Sequence, residues 1–267
     1  MSVKKWFFCL KSIVVLSNSL YFCCAMKENL LLLAFVLGFG CPALAQEQEQ
    51  KQEQERASLI LSSDIVSEYV WRGLKLGSAS IQSTLGVEWK GLSLSAWGSV
   101  GFVDKDDARE IDLIGSYSTG GLSVGVIDYW CTDPCPQYFR YKAHHTSHVF
   151  EAFVGYDFGV LSASWQTIFA GADGRTKSGR RAYSSYLELA APFHFVTCDW
   201  QATVGVVPWA TDYYGAPNFT VTNVSLRATK EIRFTDKFAL DVFAQLTANP
   251  EARNAHFVAG LSWGLGN

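Results

Sequence analysis

No basic stripe runs through this chain, and its 22 Lys and Arg are slightly outnumbered by 25 Asp and Glu, which excludes nucleic acid as a partner. Long apolar runs are missing too. Leu30 to Phe39 is too short to cross a bilayer as a helix, and Trp6 to Ala25 is interrupted by Lys11, Ser12, Ser17, Asn18 and Ser19. Histidine is scarce, at five residues, and although His144, His145 and His148 follow Cys135, their spacing matches no closed zinc motif. No metal and no cofactor are expected. Cysteine thins out along the chain: of seven, Cys9, Cys23, Cys24 and Cys41 precede residue 46, and Cys131, Cys135 and Cys198 follow it.

What is present begins with an export leader. Lys27 and Glu28 precede the apolar stretch, and Ala43-Leu44-Ala45 supplies a small-x-small cleavage signal, so residues 1–45 read as a signal peptide, with Met26 as an alternative start. Cleavage after Ala45 leaves 222 residues carrying 18 basic and 24 acidic side chains. Residues 46–56, QEQEQKQEQER, have no apolar face to bury and read as a solvated periplasmic tether. In an oxidising envelope Cys131 and Cys135, which bracket Thr-Asp-Pro, are expected to close a small disulfide, leaving Cys198 unpaired.

Residues 57–267 alternate apolar with small or polar side chains. At the carboxyl end Phe257, Ala259, Leu261, Trp263 and Leu265 fall on one face of a strand, and His256, Val258, Gly260, Ser262 and Gly264 on the other. Elsewhere the second face holds Gly, Ser, Gln, Asp and Arg, which a watery lumen accepts and a sandwich core does not. The pattern predicts an all-β, transmembrane, antiparallel up-and-down barrel. Twelve period-two runs emerge: 58–72, 80–89, 92–103, 109–118, 122–131, 147–157, 160–169, 182–190, 195–208, 219–230, 237–247 and 254–265. Short connections at 90–91, 119–121, 158–159, 191–194 and 231–236 alternate with longer ones at 73–79, 104–108, 132–146, 170–181, 209–218 and 248–253. Aromatics gather at strand ends, Trp89, Tyr117 and Trp263 near the short turns and Tyr69, Trp71 and Trp130 near the long loops.

Residues 63–74, SDIVSEYVWRGL, resemble the amino-terminal signature of the TorF-type porin family, outer-membrane barrels matched here at Asp64, Ser67, Glu68, Tyr69, Arg72 and Gly73. Residues 91–102, GLSLSAWGSVGF, are similar to the family's glycine-and-tryptophan third strand. The two stretches cover the first part of the mature chain, and the rest matches in strand rhythm alone. The resemblance implies a barrel with pore-like activity and carries no catalytic residues. The ending departs from the aromatic terminus of many such barrels, being Trp263-Gly-Leu-Gly-Asn267.

The inward register collects Asp64, Glu68, Glu88, Glu110, Asp112, Glu151, Glu188 and Asp241 against Arg72 and Arg227, with Trp97 among the lining residues. Eight acids facing two bases favour cations in an open lumen; the same groups could instead form a paired, hydrogen-bonded plug. Placed on one strand at spacing four, Asp64, Glu68 and Arg72 are about 13 Å apart and need partners from neighbouring strands, which offer Glu88 and His256. The function expected is an outer-membrane channel for small solutes in a Gram-negative-type envelope, with membrane lipids and assembly machinery as its partners. Two alternatives stand beside it: a barrel enzyme acting on lipids, and a closed barrel acting through its loops. An enzyme of the first kind places Ser or His near the lipid headgroups, a height that Ser147, His148 and His256 share, yet the sequence places no carboxylate beside either His. No enzyme is therefore expected.

Overall fold

The computed structural model describes residues 56–264 apart from 105–106, 108, 133–134, 143–144 and 236–237. The expected signal peptide and nearly all of the tether lie outside the described residues. The wall is a closed antiparallel barrel of twelve strands. In chain order the strands are β1 (Ser58–Val66), a short inner pair β2 (Tyr69–Trp71) and β3 (Leu74–Gly77), then β4 (Ser80–Trp89), β5 (Leu92–Gly101), β6 (Glu110–Thr119), β7 (Leu122–Cys131) and β8 (His148–Asp157). They continue as β9 (Ser162–Gly171), β10 (Ser185–Phe195), β11 (Cys198–Val207), β12 (Thr220–Thr235), β13 (Phe238–Asn249) and β14 (Asn254–Gly264). Each wall strand pairs with its sequence neighbours, and β1 closes the ring on β14 through Ser62 opposite Gly264 and Val66 opposite Gly260.

The two faces of the wall meet different surroundings. Leu85, Leu94, Leu246 and Phe257 point outward and are exposed, whereas Ser99, Glu151, Ile168 and Thr247 point inward and are buried. An exposed apolar belt is stable only when the surrounding medium is hydrocarbon, so the fold is that of a transmembrane barrel. The short turns follow their local chemistry. Lys90 and Gly91 both take positive φ, the twist that a two-residue hairpin needs to match its strands.

Three expected elements differ. The run 58–72 is not one strand: β1 ends at Val66, Ser67 bonds Ala259 in both directions, and residues 69–77 turn into the barrel as a hairpin. The long connection 73–79 is therefore the inner arm of that hairpin and its return. The turn expected at 191–194 is strand, because β10 pairs with β11 through Phe195 opposite Cys198, with Val196 and Thr197 making the reversal at positive φ. On the next hairpin β12 runs on to Thr235, past the break expected at Glu231.

The expected Cys131–Cys135 disulfide is absent. Cys135 carries a free thiol directed at Gln137, and its backbone is pinned by Ser147, whose Oγ accepts from Cys135 N at 2.9 Å. Cys198 is also a free thiol, as expected.

Candidate channel interior

Tyr69 to Gly73 explains itself as a hairpin. Trp71 pairs with Leu74 across Arg72 and Gly73, whose φ values of 46° and 79° form a tight reversal. Gly73 admits no side chain, since a Cβ there would lie 1.8 Å from the Thr222 carbonyl oxygen of β12. Asn249 Nδ2 donates to the Gly73 carbonyl at 3.2 Å, fixing the tip against β13 as well.

Arg72 has an unfavourable φ for a residue with a side chain, and its partners offset that cost. Its Nη1 and Nη2 donate to the two Glu151 oxygens at 2.7 and 2.8 Å, a bidentate pair. Nη1 also donates to Tyr214 Oη at 2.5 Å, and the guanidinium lies 4.2 Å from the Trp71 ring centroid and 4.6 Å from that of Tyr186. Tyr129 donates its hydroxyl to Glu151 at 2.9 Å. Tyr214 belongs to the loop between β11 and β12, and burial pushes its hydroxyl well above the ordinary tyrosine range, so it stays neutral beside the ion pair.

The hairpin packs into the barrel interior. Tyr69, Trp71 and Leu76 pack with Ile127, Tyr129, Ile168, Tyr186, Val207 and Tyr214. Around the ring every wall strand contributes an inward side chain no more than 6% exposed, from Val66 on β1 through Glu151 on β8 to Val258 on β14. The half toward the short turns is different. Its inward positions include Ser62, Thr84, Ser95, Ser116, Ser164, Thr203 and Ser225, all short, polar and partly exposed, and they make a wet vestibule beneath the packed layer.

The residues expected to carry lumen charge divide between these layers. Glu110 accepts the Tyr69 hydroxyl at 2.7 Å, Asp112 is buried on the same strand, and Trp97 packs 6.0 Å from the Tyr69 ring. Glu188 accepts from Tyr186 at 3.0 Å. Glu68 sits in the hairpin's entry, 2.6 Å from Lys75 Nζ and 3.5 Å from His256 Nδ1. Asp64 accepts from Ser262 at 2.5 Å in the vestibule wall, and Asp241 stands opposite Ser262 on β13. Arg227 lies 3.6 Å from the Phe243 ring centroid.

One expected contact fails. Arg72 leaves the wall and crosses the lumen to Glu151 on β8. Glu88 stays exposed at the short-turn rim, far from it along β4. Tyr129, Tyr186 and Asn223, which donates to the Tyr186 hydroxyl at 3.2 Å, complete the site. The first two were legible as large aromatics on an inward register; Tyr214, in a loop, carried no periodic signal.

His148 is on the outer face of β8, where its Nδ1 lies 2.7 Å from Asp128 Oδ1 and its Nε2 faces the Tyr138 carbonyl oxygen. Both ring nitrogens are engaged, so no serine is placed to lose a proton to it. The sequence holds two Gly-x-Ser-x-Gly runs, Gly121–Gly125 and Gly260–Gly264, against the expectation of none. Ser123 and Ser262 sit within strands on the inward register rather than at a strand-to-helix elbow, so neither has the geometry of a nucleophile. Among the described residues no group of His, Cys, Asp and Glu could hold a metal ion.

No family model matches the chain, and no curated protein matches it by sequence. The resemblance to TorF-type porins therefore stands on residues 63–74 and 91–102 alone. Among solved structures the chain is similar to the NanC porin, at 9% identity and a TM-score of 0.45 over 79% of this chain and all of that one. It is also similar to the KdgM porin, at 7% identity and 0.41 over 78% and 98% of the two chains. An outer-membrane channel from Pseudomonas putida F1 aligns at 13% identity and 0.35, over 80% and 97%.

Proposed function

We propose that this chain is an outer-membrane, porin-like channel for small solutes whose resting state is closed by its own inner hairpin. The observation that carries the reading is the division of the lumen: a vestibule of short polar side chains ends at a cross-section where every wall strand is sealed. A purely structural barrel has no need of a wet half. Solute entering the vestibule can proceed only if residues 69–77 leave their seat on Glu151, Thr222 and Asn249, so the Arg72–Glu151 pair is the latch of the path. The wet half carries Asp64, Glu88, Asp199, Glu231 and Asp241 against Arg227 and Arg233, an acidic excess that favours cations there.

The test is conductance of the refolded mature chain in planar bilayers, wild type against a chain with residues 69–77 replaced by a Gly/Ser linker. Rare or small steps in the wild type and large, frequent ones in the linker variant are expected. Silence of the linker variant, when gel mobility shows it folded, would sink the channel reading and leave the closed barrel acting through its loops.

A further inference from the structure

The outer wall carries a feature that a channel does not use. Register places Leu85, Ala96, Leu113, Asp128 and Phe150 in one row across β4 to β8, and Val87, Leu94, Gly115 and Val126 in the row beneath. Large side chains alternate with Ala96 and Gly115 in these rows, so the wall is indented there. The result is an open groove of about 490 Å³ floored by the two small residues, flanked by Leu85, Leu94 and Leu113 and ending at Asp128 and Phe150. Being on the membrane-facing register, it opens into hydrocarbon.

At its upper end residues 138–141, after β7, lie against the outside of the barrel. Tyr138 packs edge-on at 5.2 Å from Trp130, and Tyr141 stacks 4.2 Å from His148 and lies 6.4 Å from Phe150, which lines the groove. His148 is fully buried and ties this loop to the wall through Asp128 and the Tyr138 carbonyl. The Asp128 carboxylate is thereby turned into a partner, with 14% of its side chain exposed. What the loop presents outward is different: Arg140 and Lys142 flank Tyr141, both are exposed, and Phe139 is 88% exposed. Two cations and aromatic rings above an apolar trough match a molecule with a phosphate at one end and an alkyl chain at the other.

We propose that this face is a lipid site: one acyl chain of an anionic phospholipid lies in the groove over Ala96 and Gly115, and its phosphate meets Arg140 and Lys142. The site rests on the membrane-barrel reading but not on conduction. His148 is its positioning residue, holding the loop and its two bases over the trough. Gly115 is a clean probe, because a Cβ there meets only Leu94 Cδ2, at 3.5 Å, so a larger residue fills the groove without disturbing the wall.

The experiment is native mass spectrometry of the refolded chain in detergent micelles mixed with phosphatidylglycerol and phosphatidylcholine. Wild type is expected to retain one phosphatidylglycerol in preference to phosphatidylcholine. Gly115→Leu, and separately Ala96→Leu, should lose the bound lipid; Arg140→Gln with Lys142→Gln should keep a lipid but lose the preference. Retention of phosphatidylglycerol by both groove-filled variants at the wild-type level would overturn the proposal, as would wild type binding the two lipids equally. A chain that fails to show the folded gel mobility in detergent would overturn the barrel reading itself, whereas a folded chain without lipid overturns only the site.

Discussion

At the scale of single residues, Arg72 and Glu151 matter most, because they form a bidentate pair of opposite charges held away from water. Breaking a buried pair by removing one partner leaves an uncompensated charge and costs about 3–5 kcal/mol. Glu151→Gln should therefore lower stability in urea by that order, and replacing both, as Arg72→Met with Glu151→Leu, should cost less than the single change. If the double variant is the worse of the two, the pair is not a coupled unit. Gly73 is a separate test of the same tip: Gly73→Ala must move the backbone of β12 or release the hairpin, since the new Cβ would overlap the Thr222 carbonyl. On the outer face the medium decides. Arg at Ala202 or Val224 should cost about 2–4 kcal/mol if the position lies near the bilayer midplane, while Arg at inward Gln201 or Ser225 should be mild. Equal tolerance of the two registers would count against hydrocarbon as the surroundings.

At the scale of elements, the wall was legible and the hairpin was not, for one reason. Twelve wall strands separate two media, and a period of two is how a strand records that separation. β5 reads correctly from Leu92 to Gly101, two residues short of the expected end, because Leu92, Leu94 and Val100 face outward while Ser93, Ser95 and Ser99 face the interior. The hairpin turns inside the barrel, so Tyr69, Trp71 and Leu76 are buried against protein with no two-media alternation to separate them from β1, and the expected strand runs on to Arg72. The glycine was the signal available: an Arg-Gly pair in mid-strand fits a two-residue reversal better than a ladder. Within the stretch 191–194 expected to turn, Pro192 instead stands in the ladder opposite Gln201. The same burial predicts accessibility. Protease added to intact cells should nick residues 170–181 and spare both Lys90-Gly91 and 73–79, the former because it faces the periplasm, the latter because it is inside the barrel. Cleavage at Lys90 in intact cells would invert the topology.

At the scale of the whole molecule, the charge that governs permeation is not the charge counted along the inward register. Glu110, Asp112 and Glu151 are sealed into the packed layer, Glu188 is held there by Tyr186, and Glu68 is held by Lys75 with His256 nearby. Neutralising any of them should alter the hairpin's seat before it alters the field seen by an ion. The wet half holds Asp64 on β1 and Asp241 on β13, both facing Ser262 of the strand between them, with Glu231 opposite Asp241 and Arg227 further along β12. Arg227 faces the Phe243 ring rather than a carboxylate, so it does not cancel either acid by direct contact. In the linker variant that removes the hairpin, Asp64→Asn with Asp241→Asn should therefore lower the cation-over-anion permeability ratio read from the reversal potential in a salt gradient, and Arg227→Gln should raise it. The two changes must move the ratio in opposite directions while single-channel conductance persists. If conductance persists and the ratio stays fixed in both, permeating ions do not pass these side chains, and selectivity has to be sought at the short-turn rim around Glu88 instead.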